Sequence, residues 1–279
     1  MPGGRAVTAP RVPFRILLAR VFAVVVAFAP IGALADKRLA LVIGNADYPD
    51  LSSPLNVALK GARAVTDQLQ NAGFEVDAIE NATKESLQQA LQGFYQKVEL
   101  GAIVVFFYGG YAIQVARQNF IIPVDAQIWT EPDVRRDGAS IEAILAAIRH
   151  RGAGTRVLVL DASRRNPFER RFRSYSAGLG AIETPTNTIV ISAASPGKVI
   201  GDSDPDNSLF VDELMKQTNT PRVPMADIFN RTREEVSRAT NGEQVPWVSI
   251  NLPNRLYLRQ PILLLPRRPS EAERRHPPG

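Results

Sequence analysis

Two stretches limit what this chain can fold into. Residues 102–107 and 156–160 read as strands buried inside a sheet, and each run stops abruptly in small and polar residues. The first ends in Tyr108-Gly109-Gly110-Tyr111-Ala112 and the second in Asp161-Ala162-Ser163-Arg164. A strand covered on both faces has no need to alternate apolar with polar residues, so continuous runs point to a parallel sheet. Residues 38–44 form a third such run, ending at Gly44. In open α/β sheets, sites are built in the crevice beyond the carboxyl ends of the strands. The two breaks are therefore the first places to look for chemistry.

The segments between the runs supply crossovers. Val57, Ala58, Ala62, Val65, Leu69 and Ala72 keep helical spacing up to a stop at Gly73. Leu87, Leu91, Phe94 and Val98 share one face of a second helix that starts at Asn81-Ala82-Thr83. Ile141, Ile144, Leu145 and Ile148 mark a third over residues 140–151, and two more are expected over 208–217 and 226–240. Residues 74–79 and 188–193 are expected to be strands, 119–124 a short extended piece, and 256–258 a last short strand. Residues 45–54 read as a polar loop and 164–186 as a long one. Strand and helix in alternation predict an α/β fold with helices on both faces of the sheet. A single domain over residues 36–260 is the simplest partition, with a Pro/Arg-rich tail over 261–279.

Charge excludes one class of function. The pI near 9.7 suggests nucleic acid, but the basic residues sit at the ends. Of the formal net charge of +5, residues 1–35 carry four arginines and no acid, and the tail carries four arginines against two glutamates. The core is thus left at about −1, so no nucleic-acid footprint is expected. There is no cysteine, which excludes disulfides, thiolate metal sites and a thiol nucleophile. Pro196-Gly197-Lys198 lacks the rest of a phosphate-cradling loop. Asp202, Asp204 and Asp206 lack the glycine and downstream glutamate of a calcium loop. No cofactor and no metal are expected. Arg164, Arg165, Arg170, Arg171 and Arg173 read as a solvated basic loop, with an acidic partner or anionic membrane surface as the alternative.

The amino terminus addresses location. Four arginines precede the apolar run at 21–29, and Ala33-Leu34-Ala35 follows. This reads as a secretory signal peptide over 1–35 with cleavage before Asp36, giving a periplasmic or secreted protein with no stable membrane insertion afterwards. The alternative is an uncleaved anchor, for which the run is short of the ~20 residues that span a bilayer.

The two strand ends resemble the histidine and cysteine motifs of the caspase and metacaspase superfamily, as found in bacterial caspase-like proteins. Leu41-Val42-Ile43-Gly44-Asn45 with Tyr48, the NFIIPVDA run at 119–126, and Asp161-Ala162 with Asn166-Pro167-Phe168 fit the same family. So do Asn207-Ser208-Leu209-Phe210 and Gln244-Val245-Pro246-Trp247. The resemblance covers about 37–258 and implies a caspase-like three-layer α/β sandwich around a mostly parallel six-stranded sheet. It puts the family's histidine at Tyr111 and its cysteine at Ser163, with substrate contacts at Asp161 and at the backbone of Gly110 and Ala112. Metacaspases hold an Arg or Lys side chain with acids. Asp161 keeps one of these, but the N-D-A motif that supplies another reads Lys60-Gly61-Ala62 here, and Arg165 stands where relatives often carry aspartate.

The substituted pair does not support the family's reaction. A thiol with a pKa of roughly 8.5 is readily activated by an imidazole, whereas a serine hydroxyl needs a strong base. A tyrosine with an ordinary pKa of about 10 is protonated at neutral pH and acts as a donor. Only His150 and His276 could replace the missing imidazole. The first falls at the wrong end of the strand that leads to Ser163, and the second in the tail. The reading is an exported pseudopeptidase that binds a peptide or protein, or regulates an active relative. The alternative is a hydrolase that uses Ser163 with a base other than histidine, such as Asp161 or Lys60.

Overall fold

The computed structural model describes Gly3 and residues 37–49, 54–162, 178–200 and 208–259. The signal segment, Ser163, the arginines at 164–173, the aspartates at 202–206, His276 and the tail lie outside the described residues. Strand β1 (Arg38–Gly44) leads into helix α1 (Asn56–Asn71), then β2 (Glu75–Glu80), α2 (Lys84–Lys97) and β3 (Ile103–Gly109). A hairpin of β4 (Ala112–Val115) and β5 (Gln118–Ile121) follows, with α3 (Glu131–Asp137), β6 (Ala139–Ser140), α4 (Ile141–His150) and β7 (Thr155–Asp161). The chain closes with β8 (Thr188–Ser192), α5 (Leu209–Thr218), α6 (Met225–Ala239) and β9 (Trp247–Asn251).

The main sheet has six strands in the order β2-β1-β3-β7-β8-β9. All neighbours are parallel except β9, which runs antiparallel to β8. Strand periodicity sorts the apolar residues into two layers. Leu39, Leu41 and Ile43 of β1, Val104 and Phe106 of β3, and Leu158 and Leu160 of β7 pack with Leu87 and Phe94 of α2 and Ile144 and Ile148 of α4. The alternate positions, including Val42, Val105, Phe107, Val157 and Val159, pack with Val65 and Leu69 of α1, Phe210 and Leu214 of α5, and Phe229 of α6. Each large side chain buried this way contributes about 1.5–3 kcal/mol before chain entropy is counted. This is the expected α/β sandwich with a mostly parallel six-stranded sheet.

Two glycines set how closely α1 can lie on the sheet. Gly44 and Gly109 are register partners at the carboxyl ends of β1 and β3. A Cβ on Gly44 would sit 2.7 Å from the Cβ of Ala62, and one on Gly109 would sit 3.3 Å from the carbonyl oxygen of Ala58. The small faces of the helix and the bare strand ends fit only each other.

Three features differ from the sequence reading. The 116–117 turn joins two strands that form a small antiparallel sheet with β6, although only the 119–124 piece was extended in that reading. Both turn residues, Ala116 and Arg117, have φ near +46 and +67, a conformation usually announced by Asn or Gly. The last strand is Trp247–Asn251 rather than 256–258, where Tyr257 makes only an isolated bridge to Pro224. Within the 45–54 loop, Asn45, Ala46 and Tyr48 are buried, no more than 4% exposed, with Asp47 exposed between them. No helix among the described residues is long and apolar enough to cross a membrane.

Gly44→Ala is expected to destabilise the domain by about 1–3 kcal/mol, the range for overpacking a filled core. A lower urea midpoint in equilibrium unfolding checks it, and an unchanged midpoint would show that α1 is free to shift.

Candidate functional site

The two strand ends singled out in the sequence emerge side by side. Gly109 of β3 is the register partner of Asp161 of β7, and the Gly110 N–H donates to the Asp161 carbonyl at 3.2 Å. The Gly110 backbone therefore laces the strand ends together rather than facing a ligand. Its φ is +152°, and a Cβ there would lie 2.7 Å from the Tyr108 hydroxyl and 2.8 Å from that of Tyr48. Only glycine fits. Asp161 is 1% exposed. By strand alternation it points to the same layer as Val157 and Val159, where α1 and α5 lie. On α1, Gly61 faces Val211 of α5, whose Cγ2 is 3.3 Å from where a Cβ would be. An apolar contact thus fills the helix position at which the resemblance calls for a second acid. Lys60 beside it is exposed.

Tyr111 is buried, and its ring meets that of Tyr48 edge-on, with centroids 4.9 Å apart at 79°. Around the pair, Ile113, Phe120, Ile122 and Val134 form a satellite core. The main chain of Tyr111 is held as firmly as its ring. Its N–H donates to the Tyr48 hydroxyl at 3.0 Å. Its carbonyl accepts from the Tyr108 hydroxyl at 2.7 Å and from the Ile122 N–H at 3.0 Å. The Ile122 carbonyl accepts from the Asn45 amide and the Tyr48 hydroxyl, each at 3.1 Å. Asn45 completes the net by accepting from the Ala82 N–H at 2.9 Å.

The hairpin register decides which backbone groups remain turned outward. Val115 and Gln118 close a two-residue turn and are hydrogen-bonded partners, so bonding alternates back along the ladder. The Ile122–Tyr111 bond confirms the phase. Ala112, opposite Ile121, falls in a non-bonded pair, so its N–H points away from β5. Of the two glycine-motif donors, that of Ala112 is the one left outside the β4–β5 ladder.

Among the described residues the one histidine lies far from the crest at Tyr111 and Asp161. His150 is the last residue of α4, just before β7 begins, while Asp161 ends that strand. Seven strand residues at ~3.3 Å each put more than about 20 Å between those ends. Tyr111 contributes a ring in a core rather than a free acceptor. The described residues bring to this end of the sheet a buried carboxyl group at Asp161 and apolar walls. Sequence reasoning missed Tyr48, Tyr108 and Asn45 as the supporting net. The only signal for it was a polar residue and two tyrosines immediately beyond or at the end of apolar runs.

Burial drives the phenols of this net toward the neutral form. The Tyr48 hydroxyl is pushed up to about 12, with the Tyr108 hydrogen bond offsetting part of the shift. Tyr108 is raised well above its ordinary value, again chiefly by burial. A phenol whose pKa is higher in the folded than in the unfolded chain stabilises the fold fully below about 10. That stabilisation is lost as pH rises through about 12. Absorbance titration of tyrosinate should show these phenols ionising together with alkaline unfolding, and titration near 10 in the intact fold would refute the burial account. Tyr48→Phe leaves the Tyr111 N–H and one lone pair of Ile122 without this partner. It is expected to cost about 1–3 kcal/mol, read as a drop in thermal midpoint at neutral pH.

Comparison with known proteins agrees with this geometry. The caspase domain family matches residues 37–257. The human mucosa-associated lymphoid tissue lymphoma translocation protein 1 (Homo sapiens) is 23% identical over 238 residues, which cover 82% of this chain and 27% of that protein. Its mouse homologue (Mus musculus) is 26% identical over 140 residues, 49% of this chain and 16% of its own. The chain spans roughly a quarter or less of the length of these relatives. With its six-stranded sheet, its paired strand ends and a match across nearly all the described residues, this chain belongs to the caspase domain family.

Proposed function

We propose that this protein is a caspase-fold pseudopeptidase that binds a peptide or protein segment at the carboxyl edge of its sheet and does not cleave it. The single observation that carries this reading is Tyr111. At the position the family gives to histidine stands a buried phenol, stacked edge-on against Tyr48, with its main chain committed on both sides. The chain has no cysteine to activate, so loss of the base and loss of the thiol go together. Recognition does not need either. A peptide carbonyl can still meet the Ala112 N–H, and Asp161 places a buried carboxyl group at the adjoining strand end. Replacement of the second acid by Gly61 and Val211 favours segments without an arginine or lysine at the central position. The arginine-rich, apolar segment at 1–29 and Ala33-Leu34-Ala35 support export, with the ligand met in the periplasm or outside the cell. An active member of the same family is one such ligand.

Turnover of peptides carrying Arg, Lys, Asp or a neutral residue before the scissile bond tests the reading. The protein beginning at Asp36 and its Ser163→Ala variant are expected to give the same background. Cleavage by the first that is at least tenfold faster than by the second would make Ser163 a nucleophile and overturn the proposal.

A further inference from the structure

The amino end of the sheet, opposite the Tyr111 and Asp161 crest, is built from turns that meet one another. The turn between α2 and β3 holds Leu100 and Gly101, and the turn between α4 and β7 holds Arg151, Gly152 and Gly154. The Gly101 N–H donates to the Gly152 carbonyl and the Gly154 N–H to the Ala102 carbonyl, each at 2.9 Å. Gly101 and Gly152 have φ of +83° and +94°, a conformation that glycine adopts without steric cost. The two turns thus form one fixed tip. Leu100 crowns it: its Cδ1 lies over Gly152, 3.1 Å from where a Cβ would be, and the residue is 90% exposed. A single exposed leucine is ordinary on a protein surface, but this one is set among cations. Arg149 and Arg151 at the end of α4 are exposed. So is Arg255, which shares a cavity of about 410 Å³ with Gly101 and Gly154. No hydrogen bond or ion pair ties any of these three arginines to another described residue. Two acids at this end, Glu75 and Glu99, are engaged by Lys97 at 3.1 Å and Lys37 at 2.7 Å.

From this arrangement we infer that the amino end of the sheet is a docking face for the surface of a bilayer that carries anionic phospholipid. Unpaired arginines around a protruding tip are drawn to lipid phosphates. The apolar side chain at the summit can enter the boundary between headgroups and acyl chains without rearrangement of the turns that carry it. An acidic protein surface would satisfy the arginines, but it would bury Leu100 against polar groups. Chain connectivity favours the bilayer as well. The polypeptide enters the domain at this end, at Lys37 before β1. Residues 1–35 supply four arginines and the apolar run at 21–29, a composition that targets a bilayer. Whether that segment is removed or kept, the end of the sheet that follows it is the one with the exposed cations. Seven strand residues at ~3.3 Å each hold the crest on the order of 20 Å from this face, so docking leaves the crest open to solvent.

Cosedimentation with lipid vesicles tests this, using the protein that begins at Asp36, which holds every described strand and helix. It is expected to sediment with vesicles of phosphatidylcholine and phosphatidylglycerol in equal parts and not with phosphatidylcholine alone. Salt at ~1 M should release it, because screening then shortens electrostatic reach to about 3 Å. The double variant Arg151→Gln, Arg255→Gln is expected to lower the partition coefficient about tenfold or more, since one basic residue at an anionic surface is worth about fivefold. Leu100→Ser is expected to lower it about fivefold through loss of the inserted side chain. Arg135→Gln removes the same charge from α3, whose Val134 packs in the satellite core at the crest, and should leave partition unchanged. All these positions are exposed, so each variant is expected to keep the wild-type thermal midpoint and any loss reads on docking. No sedimentation with the anionic vesicles, equal loss in Arg135→Gln, or undiminished partition in Leu100→Ser would overturn the inference. Retention on immobilised polyglutamate through the same arginines, without vesicle binding, would make this a protein-docking face and overturn it too.

Discussion

The carbonyl of Ile122 leaves the small sheet fully buried, and it must find its donors inside the protein. In a regular ladder the Tyr111 N–H would be one of them. Here that N–H is turned to the Tyr48 hydroxyl, and the Asn45 amide and the Tyr48 O–H take its place on the carbonyl. One assignment satisfies every group: Tyr108 donates to the Tyr111 carbonyl and Tyr48 to that of Ile122, while Tyr48 accepts from Tyr111. This exchange welds the end of β1, the end of β3 and the small sheet into one body. It also presses Gly110 against two hydroxyls and fixes the direction in which the chain leaves the sheet. The position after β3 is thereby rigid whatever side chain stands there.

That rigidity accounts for how the strand end after β3 keeps its geometry with a tyrosine in this position. The direction of the Ala112 N–H belongs to the backbone and depends on hairpin phase, not on side-chain identity. The Tyr111 phenol stands inside a tyrosine net whose hydrogen bonds run through its main chain and the neighbouring hydroxyls. The apolar contact of Gly61 with Val211 shows the same pattern on α1: a polar requirement has been exchanged for packing, and the helix lies where it would in any case.

Much of this was legible in the sequence, for identifiable reasons. Strands buried on both faces cannot hide their apolar runs, so β1, β3, β7 and β8 could be read directly, and the helices between them showed their buried stripes. The strand ends at Tyr111 and Asp161 followed from where those runs stopped. The hairpin did not, because Ala116 and Arg117 adopt positive φ without the residues that usually signal it. Strand β9 was missed because an edge strand is only half buried: Trp247, Val248 and Ser249 are partly exposed, and the pattern carries no clear period. The tyrosine net was out of reach for a different reason. Tyr48, Tyr108 and Tyr111 are brought together by the return of the chain through Ile122, a long-range fact that no local window contains.

The central claim is that the crest holds a recognition surface without a working base. Because the chain has no cysteine of its own, a Ser163→Cys variant carries a single thiol that reports on this position alone. Its rate of alkylation by iodoacetamide, followed against pH, gives the thiol pKa at the crest. The account predicts an ordinary value of about 8.5 or higher, since Tyr111 occupies the family's histidine position. A value depressed below about 7 would reveal an activating base at this position and contradict the account.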